Sequence, residues 1–232
     1  MAEFRGYKRI VVLTGAGISK SAGLPTYRGP DGLWNDESLA ALSDASSLRT
    51  RRKEATDMFW KFRRAIVKVE PTAAHRALAA FEANLPAGAE ITIITQNVDG
   101  LHQAAGSKRV CEYHGSLARW HCEVCEDEVA PPDGEATPTC CGESMRPSAV
   151  LFGEMIPVDA ERTAKQALRE CDLFVAIGTS GTVQPASSFV RWAEYNNALR
   201  VLLNLEIFDG ARSEFTHCHS GTADDLVPRF FG

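Results

Sequence analysis

Four short apolar runs, dense in valine, isoleucine and leucine, constrain this chain more than anything else in it: RIVVLT at 9–14, ITIIT at 91–95, LFVAI at 173–177 and RVLLNL at 200–205. They lack a regular apolar–polar alternation, so each reads as a strand buried on both faces. Helical patterns lie between them. Residues 72–85 put Ala74, Leu78, Phe81 and Leu85 on one stripe, 159–171 opens on an aspartate cap and has a basic far side, and 184–196 follows the third run. Strand and helix alternating in this way require right-handed crossovers. The fold class expected is α/β: a Rossmann-like parallel sheet flanked by helices, with ligands at the C-terminal edge of the strands.

Two segments break the alternation. Residues 35–70 read as helices, an Ala- and Leu-bearing piece and then ATDMFWKFRRAIVKVE, while 117–146 is rich in Cys, Glu and Pro with little periodicity of either kind. They are expected to form a smaller inserted zinc-ribbon and helical module, 35–70 with 117–146, on a Rossmann-like domain built from 1–34, 71–116 and 147–232. A chain of 232 residues is long enough for a large domain with such an insert.

Charge narrows the partners. The net charge of −5 gives no general attraction to nucleic acid or to an anionic membrane. The basic group Arg49, Arg51, Arg52 and Lys53 reads as a solvated face. No apolar run reaches membrane-spanning length, and MAEFRGYKRIVVL runs into a strand pattern without a cleavage site, so a cytoplasmic protein is expected. In that setting seven cysteines are thiols or metal ligands rather than a disulfide framework. Cys111, Cys171 and Cys218 stand alone beside apolar patterns and read as buried thiols.

Several motifs carry chemistry. The first run ends in TGAGISKSAGLPTYRG, 14–29, where Gly15 and Gly17 let the backbone turn sharply and approach a phosphate. The spacing departs from G-x-G-x-x-G, because the next glycine is Gly23. Polar strand ends at Gly178, Thr179 and Ser180, and at Asn204 and Glu206, raise the dinucleotide reading above that of a plain turn. TQNVDGLH, 95–102, sets an amide and a carboxylate at a strand end, suited to a carboxamide and a sugar hydroxyl, or to turn chemistry alone. In CEYHG, 111–115, His114 suits a general base near neutral pH, or a structural role. HCEVC spaces Cys122 and Cys125 as metal ligands, but TPTCCG sets Cys140 beside Cys141 and has Pro138 where a spaced pair would need a cysteine.

Taken in order, GAGIS, GLPTYRG, TQNVDGLH, YHG, CxxC, RPxxVxFGE, GTSxxVxPA and NxE resemble the sirtuin family, the NAD-dependent protein lysine deacylases, from Gly15 to about Pro228. RGPDGLW is similar to the compact bacterial members. The resemblance implies roles for the matching positions. Gly15, Ala16, Gly17 and Ile18 would cradle a pyrophosphate. Tyr27, where the family usually has phenylalanine, and Arg28 would belong to the loop over the nicotinamide. Gln96, Asn97 and Asp99 would border the nicotinamide and its ribose. Gly178, Thr179, Ser180, Asn204, Glu206 and Ala223 would hold the adenosine half, and Val150, Phe152 and Gly153 would line the acyl-lysine tunnel.

The implied reaction, with His114 as general base and Asn97 and Asp99 beside it, consumes NAD and an acylated lysine. It yields nicotinamide, free lysine and O-acyl-ADP-ribose. Deacetylation is the expected activity. By the same resemblance, Trp60 and Arg63 occupy the places of a Tyr-x-x-Arg pair that reads acidic acyl groups, so a desuccinylase or demalonylase is the alternative; the residues read equally as an amphipathic helix with Trp60 in the core and Arg63 in solvent. ADP-ribosyl transfer, or NAD binding without catalysis, would use the same cofactor site. The family's small module holds one structural zinc on two cysteine pairs. Here Cys122, Cys125 and Cys141 would be ligands, Cys140 would be the weaker candidate for the fourth and His121 a substitute, against a metal-free module held by packing alone.

Overall fold

A computed structural model of the protein describes residue 4 and residues 6–28, 32–132 and 136–232. Gly29, Pro30 and Asp31, part of the RGPDGLW stretch, lie outside the described residues. The strands in chain order are β1 (Arg9–Thr14), β2 (Glu90–Thr95), β3 (Val110–Glu112), β4 (Gly115–His121), β5 (Glu128–Val129), β6 (Thr139–Cys140), β7 (Glu143–Ser144), β8 (Arg146–Ala149), β9 (Leu173–Ile177), β10 (Leu199–Asn204) and β11 (His217–Ser220). The helices are α1 (Glu37–Leu42), α2 (Ser47–Thr50), α3 (Arg52–Ile66), α4 (Ala73–Ala83), α5 (Leu101–Ala104), α6 (Val158–Glu170), α7 (Phe189–Tyr195), α8 (Ala211–Glu214) and α9 (Ala223–Phe231).

Six strands make one parallel sheet in the order β11-β10-β9-β1-β2-β3. The four apolar runs are its central strands, and their lack of alternation has the expected cause. On β1, Ile10 and Val12 pack with Leu78 and Phe81 of α4 and Phe230 and Phe231 of α9. Val11 and Leu13 point the other way, into a second core with Leu168 of α6 and Phe189 and Val190 of α7. Both faces are covered, so neighbouring residues on a strand are all buried. Leu78 and Leu168 are fully buried, each contributing about 1.5–3 kcal/mol of transfer free energy.

Helix α4 starts where a cap is available: the Thr72 hydroxyl accepts the His75 N–H, and the His75 ring accepts the Thr72 N–H. The aspartate cap expected for α6 is not formed. That helix opens after Pro157 with no side-chain cap, and Asp159 sits inside its first turn, paired with Arg162. A carboxylate there still favours the helix through the dipole, so composition alone does not separate the two placements. The segment 117–146, where little strand character was expected, holds most of β4, all of β5, β6 and β7, and the first residue of β8. β4 pairs antiparallel with β5 and β8, and its register with β8 shifts between Ser116 and Trp120. That irregularity removes the period-2 signal a strand normally leaves in its sequence.

Helix α3 packs onto this second sheet. Ala55, Met58 and Phe59 meet Leu117, Ala149 and Leu151. Trp60 meets Trp120, Cys122 and Met145. No helix among the described residues is long and apolar enough to cross a membrane.

Candidate active site and metal centre

The sheet order sets the site. The chain leaves β1 toward β2 and β3, and leaves β9 toward β10 and β11 on the other side, so a crevice opens at the C-terminal ends of β1 and β9. There the two backbones touch. The Gly15 N–H donates to the Ile177 carbonyl at 3.0 Å, and the Gly17 N–H to the Gly178 carbonyl at 2.9 Å. A Cβ on Gly15 would stand 2.7 Å from the Gly178 oxygen, and one on Gly17 2.6 Å from the Gly178 Cα. Glycine is needed at both by close approach alone. Residues Ala16–Ala22 then form a 3-10 turn rather than a regular α-helix.

A cavity of about 650 Å³ occupies the crevice. Its walls include Gly15, Ala16, Gly17, Tyr27 and Arg28 from the first turn, and Gln96, Asn97 and His114 from the ends of β2 and β3. Gly178, Thr179, Ser180, Asn204, Glu206 and Ala223 form the far side, and Val150, Phe152 and Gly153 the near lip. Ile18 does not line it, because its side chain is fully buried in the core with α4 and α9. Asp99 stands one shell back: the Ser19 hydroxyl donates to its carboxylate at 2.7 Å, and the Asn97 amide donates to Ser19 Oγ and to the Gly15 carbonyl, both at 3.2 Å. Ser19, a buried bridge between Asn97 and Asp99, escaped the sequence reading although it closes the GAGIS motif. Thr179 was assigned to the adenosine half, yet its hydroxyl also accepts from the Gln96 amide at 3.1 Å. The Asn204 amide spans from the Thr179 carbonyl at 3.1 Å to the Glu206 carbonyl at 2.9 Å.

Two features fit an NAD molecule. The turn brings bare backbone to the cavity wall at Gly15 and Gly17, where a phosphate can approach it. The carbonyl oxygen of the Asn97 side chain is buried with no hydrogen-bond partner, an acceptor left over for a bound donor. His114 has the geometry of a base. Its Nδ1 lies 3.1 Å from the Gln96 carbonyl oxygen, which can only accept, so Nδ1 carries the proton and Nε2 the lone pair. Burial lowers the His114 pKa, partly offset by that hydrogen bond, which keeps the ring neutral near pH 7. Burial, and then the nearby charge of Asp99, push the Tyr27 phenol up to about 12, so it stays neutral.

The cavity walls also include the apolar Phe59 and Phe62 of α3 with Val98, Leu117 and Leu151, and the polar Ser43 and Glu154. Trp60 and Arg63, on the same helix, are not among its walls. Trp60 is buried against Trp120 at a 4.8 Å ring separation and donates to the Thr137 hydroxyl, while the Arg63 guanidinium donates to the Leu117 carbonyl at 3.2 Å.

The four cysteines converge. One sulfur each from Cys122, Cys125, Cys140 and Cys141 lies within 4.8 Å of every other. Cys125 Sγ and Cys140 Sγ are 3.5 Å apart, and Cys140 Sγ and Cys141 Sγ 3.8 Å. Tetrahedral zinc with sulfurs at about 2.3 Å wants them about 3.8 Å apart. The adjacent pair converges because Cys141 and Gly142 are the two central residues of the β6–β7 hairpin, both with positive φ (51° and 82°). This is the pattern of a type I′ turn, which folds the Cys141 side chain back beside Cys140. The Cys140 thiol therefore stands on a par with the other three. The N–H groups of Cys125 and Val124 hold the Cys122 pKa down to about 7, while the neighbouring thiols, Cys125 first, push Cys140 up to about 12. Four sulfurs this close ionise together only around a cation. His121 faces away, with Nδ1 3.2 Å from the Ser148 hydroxyl.

Comparison with known proteins agrees with this geometry. A sequence model described as the Sir2 family matches residues 15–185. An NAD-dependent protein deacylase of Pasteurella multocida is 41% identical over 231 residues, covering 96% of each chain. A mutant Sir2 homologue solved with ADP ribose superposes with a TM-score of 0.90 at 30% identity, over 99% of this chain and 92% of that one. A Sir2 structure with a p53 peptide and NAD+ gives 0.83 at 29%, over 96% and 92%.

Proposed function

The chain belongs to the Sir2, or sirtuin, family, and on that premise we infer that it is an NAD-dependent protein lysine deacylase acting on acylated lysines in proteins or peptides. One observation carries the reading beyond the family: His114, its proton fixed on Nδ1, shares a single cavity with the glycine turn and with the lip at Val150, Phe152 and Gly153.

Bound NAD supplies a glycosidic bond whose cationic ring departs neutral, which opens the ribose carbon to an oxygen nucleophile. In this reading Gly15, Ala16 and Gly17 hold the pyrophosphate against the β1–β9 crevice, and Ile18 anchors that turn from the core. Gly178, Thr179, Ser180, Asn204, Glu206 and Ala223 take the adenosine half. Gln96 and Asn97 face the carboxamide and ribose, Asn97 oriented by Asp99 through Ser19 and Gln96 by the Thr179 hydroxyl, with Tyr27 and Arg28 closing over them. His114 Nε2 takes the proton of a sugar hydroxyl, a role worth about 10²–10⁴ in rate. The substrate backbone adds as a strand at the lip. Cys122, Cys125, Cys140 and Cys141 would hold one zinc, which ties the β6–β7 hairpin to the turn after β4.

The finer assignments follow from the same picture. Residues 35–70 and 117–146 act as one module, a reading supported by the packing of α3 on β4 and β8. The acyl group is uncharged, acetyl first, because Phe59 and Phe62 line the acyl end and Arg63 is engaged with the Leu117 carbonyl. Seven free thiols support a reducing, cytoplasmic setting. The net charge of −5 supports protein substrates rather than nucleic acid. The test is NAD-dependent turnover of acetyl-, propionyl- and succinyl-lysine peptides with mass spectrometry of the products. O-acyl-ADP-ribose is expected, and an ADP-ribosylated acceptor without deacylated peptide would overturn the reading.

A further inference from the structure

The lip that borders His114 is held by an ion pair between a buried arginine and a half-buried glutamate that also lines the cavity, and the reaction itself does not require it. Arg146, at the start of β8, has a side chain only 6% exposed. Its two terminal nitrogens meet the two carboxylate oxygens of Glu154, and Nη2 also donates to the Ala149 carbonyl at 2.8 Å. Glu154 in turn accepts the Leu151 N–H at 2.8 Å and returns its own N–H to the Leu151 carbonyl at 3.0 Å. One bidentate pair thus closes both ends of the 149–154 loop. Within the loop the Val150 N–H donates to the His114 carbonyl at 2.9 Å, and the Phe152 N–H to the Ser43 carbonyl at 2.9 Å.

The pair is also wired outward. Arg146 Nη1 stands 3.8 Å from Glu123, which lies between Cys122 and Cys125, and Arg52 of α3 donates to the other oxygen of Glu123 at 2.8 Å. Two arginines and two carboxylates therefore link α3, the cysteine turn, β8 and the lip. Such a pair adds little net stability over apolar packing, but it fixes geometry, because the Arg146 charge would be costly to bury without its partner.

We propose that Arg146 and Glu154 are positioning residues for the acyl-lysine substrate: their pairing sets the shape of the 149–154 lip against His114, and so governs peptide recognition while leaving the NAD half untouched. The proposal rests on the deacylase reading above and adds to it a determinant of peptide affinity outside the chemistry. Neither residue touches the reacting atoms.

Glu154→Gln keeps the size and the Leu151 bond but places a second donor against Arg146, and Arg146→Lys keeps the charge without the fork. Loss of one charge-assisted contact predicts a KM for acyl-lysine peptide raised about tenfold in Glu154→Gln, less in Arg146→Lys. The KM for NAD and the zinc content should stay at wild-type values, with kcat at saturating peptide changing far less than KM. An unchanged peptide KM in both variants overturns the proposal. So does a rise of both KM values together, which is what general loosening would produce. Hydrogen exchange reads the clamp without catalysis: faster exchange at Val150 and Phe152, whose N–H groups dock the lip on the His114 and Ser43 carbonyls, is expected in the variants, and unaltered exchange at both overturns the clamp. A wild-type protein with no NAD-dependent turnover would overturn the deacylase reading by itself and leave the exchange result to decide whether the clamp exists.

Discussion

The ring Nδ1 of His114 lies 3.1 Å from the carbonyl oxygen of Gln96, and this one contact decides which nitrogen can act as a base. The carbonyl belongs to the residue next to Asn97 at the end of β2, so the strand that supplies the polar cluster also sets the tautomer of the histidine.

The first expected outcome concerns pH. A base works unprotonated, and burial holds the His114 pKa below its usual 6.5. The acid limb of kcat/KM should therefore have an apparent pKa under 6.5, read from a pH–rate profile. His114→Ala should lower kcat by about 10²–10⁴ while calorimetry shows NAD bound as before. An acid limb centred above pH 7 would remove His114 from the role.

The glycine crevice makes a second test. The Cβ of Gly17→Ala would meet the Gly178 backbone at 2.6 Å, and neither backbone has a side chain to yield. We expect a loss of about 1–3 kcal/mol in stability from overpacking, with a still larger loss in NAD affinity. Urea denaturation and NAD titration measure the two separately.

Metal content tests the cysteine cluster. Purified protein should carry one zinc per chain, and Cys140→Ser should lower it as much as Cys125→Ser, because both sulfurs sit in the same cluster. Zinc present at about a thousand times its dissociation constant adds about 4 kcal/mol, so a chelator should shift the thermal midpoint down. Gly142→Ala, at φ 82° with open space around it, should cost about 1–2 kcal/mol through backbone strain alone. Metal analysis showing no zinc would leave the hairpin as a thiol cluster without an ion.

Two buried histidines predict how stability depends on pH. The His75 and His102 rings are 4.6 Å apart, each bonded to a threonine: Thr72 at 2.8 Å and Thr14 at 2.9 Å. Burial first, opposed by Asp99 and Asp224, lowers His75 to about 4, and burial lowers His102 well below 6.5. The unfolded chain then binds more protons than the folded one below pH 6.5. Stability is full above that value and falls as pH drops toward 4, by up to about 1.4 kcal/mol per pH unit for each histidine. Urea midpoints at pH 7.0 and about 5.0 check it, and a flat profile across that window would contradict the buried neutral rings.

Acyl choice yields a fifth outcome. With Arg63 on the Leu117 carbonyl and Phe59 and Phe62 facing the cavity, Arg63→Met should leave the ratio of acetyl to succinyl turnover unchanged. A selective loss of succinyl turnover would show the guanidinium reaching the substrate.

Much of this was legible in the chain itself. The four apolar runs are the central strands because burial on both faces leaves its mark residue by residue along a strand. The turn at Gly15 and Gly17 was equally readable, because its residues are sequence neighbours, although only the structure shows that the Gly178 backbone is what forbids a side chain there. Other features left no local mark. β4 hides behind its register shift, Ser19 acts through Asn97 and Asp99 from a distant part of the chain, and α6 lacks the cap its first turn suggested.

The sequence by itself determined the sheet, the glycine turn and the identity of the polar strand ends, because periodicity and adjacent residues encode them directly. Only the tertiary structure decided that Cys140 and Cys141 meet Cys122 and Cys125, and which side chains of α3 reach the cavity. Those outcomes depend on a left-handed backbone at Cys141 and on the second sheet that covers Trp60, and a side chain's direction is set by the surface it packs against rather than by its neighbours in the chain.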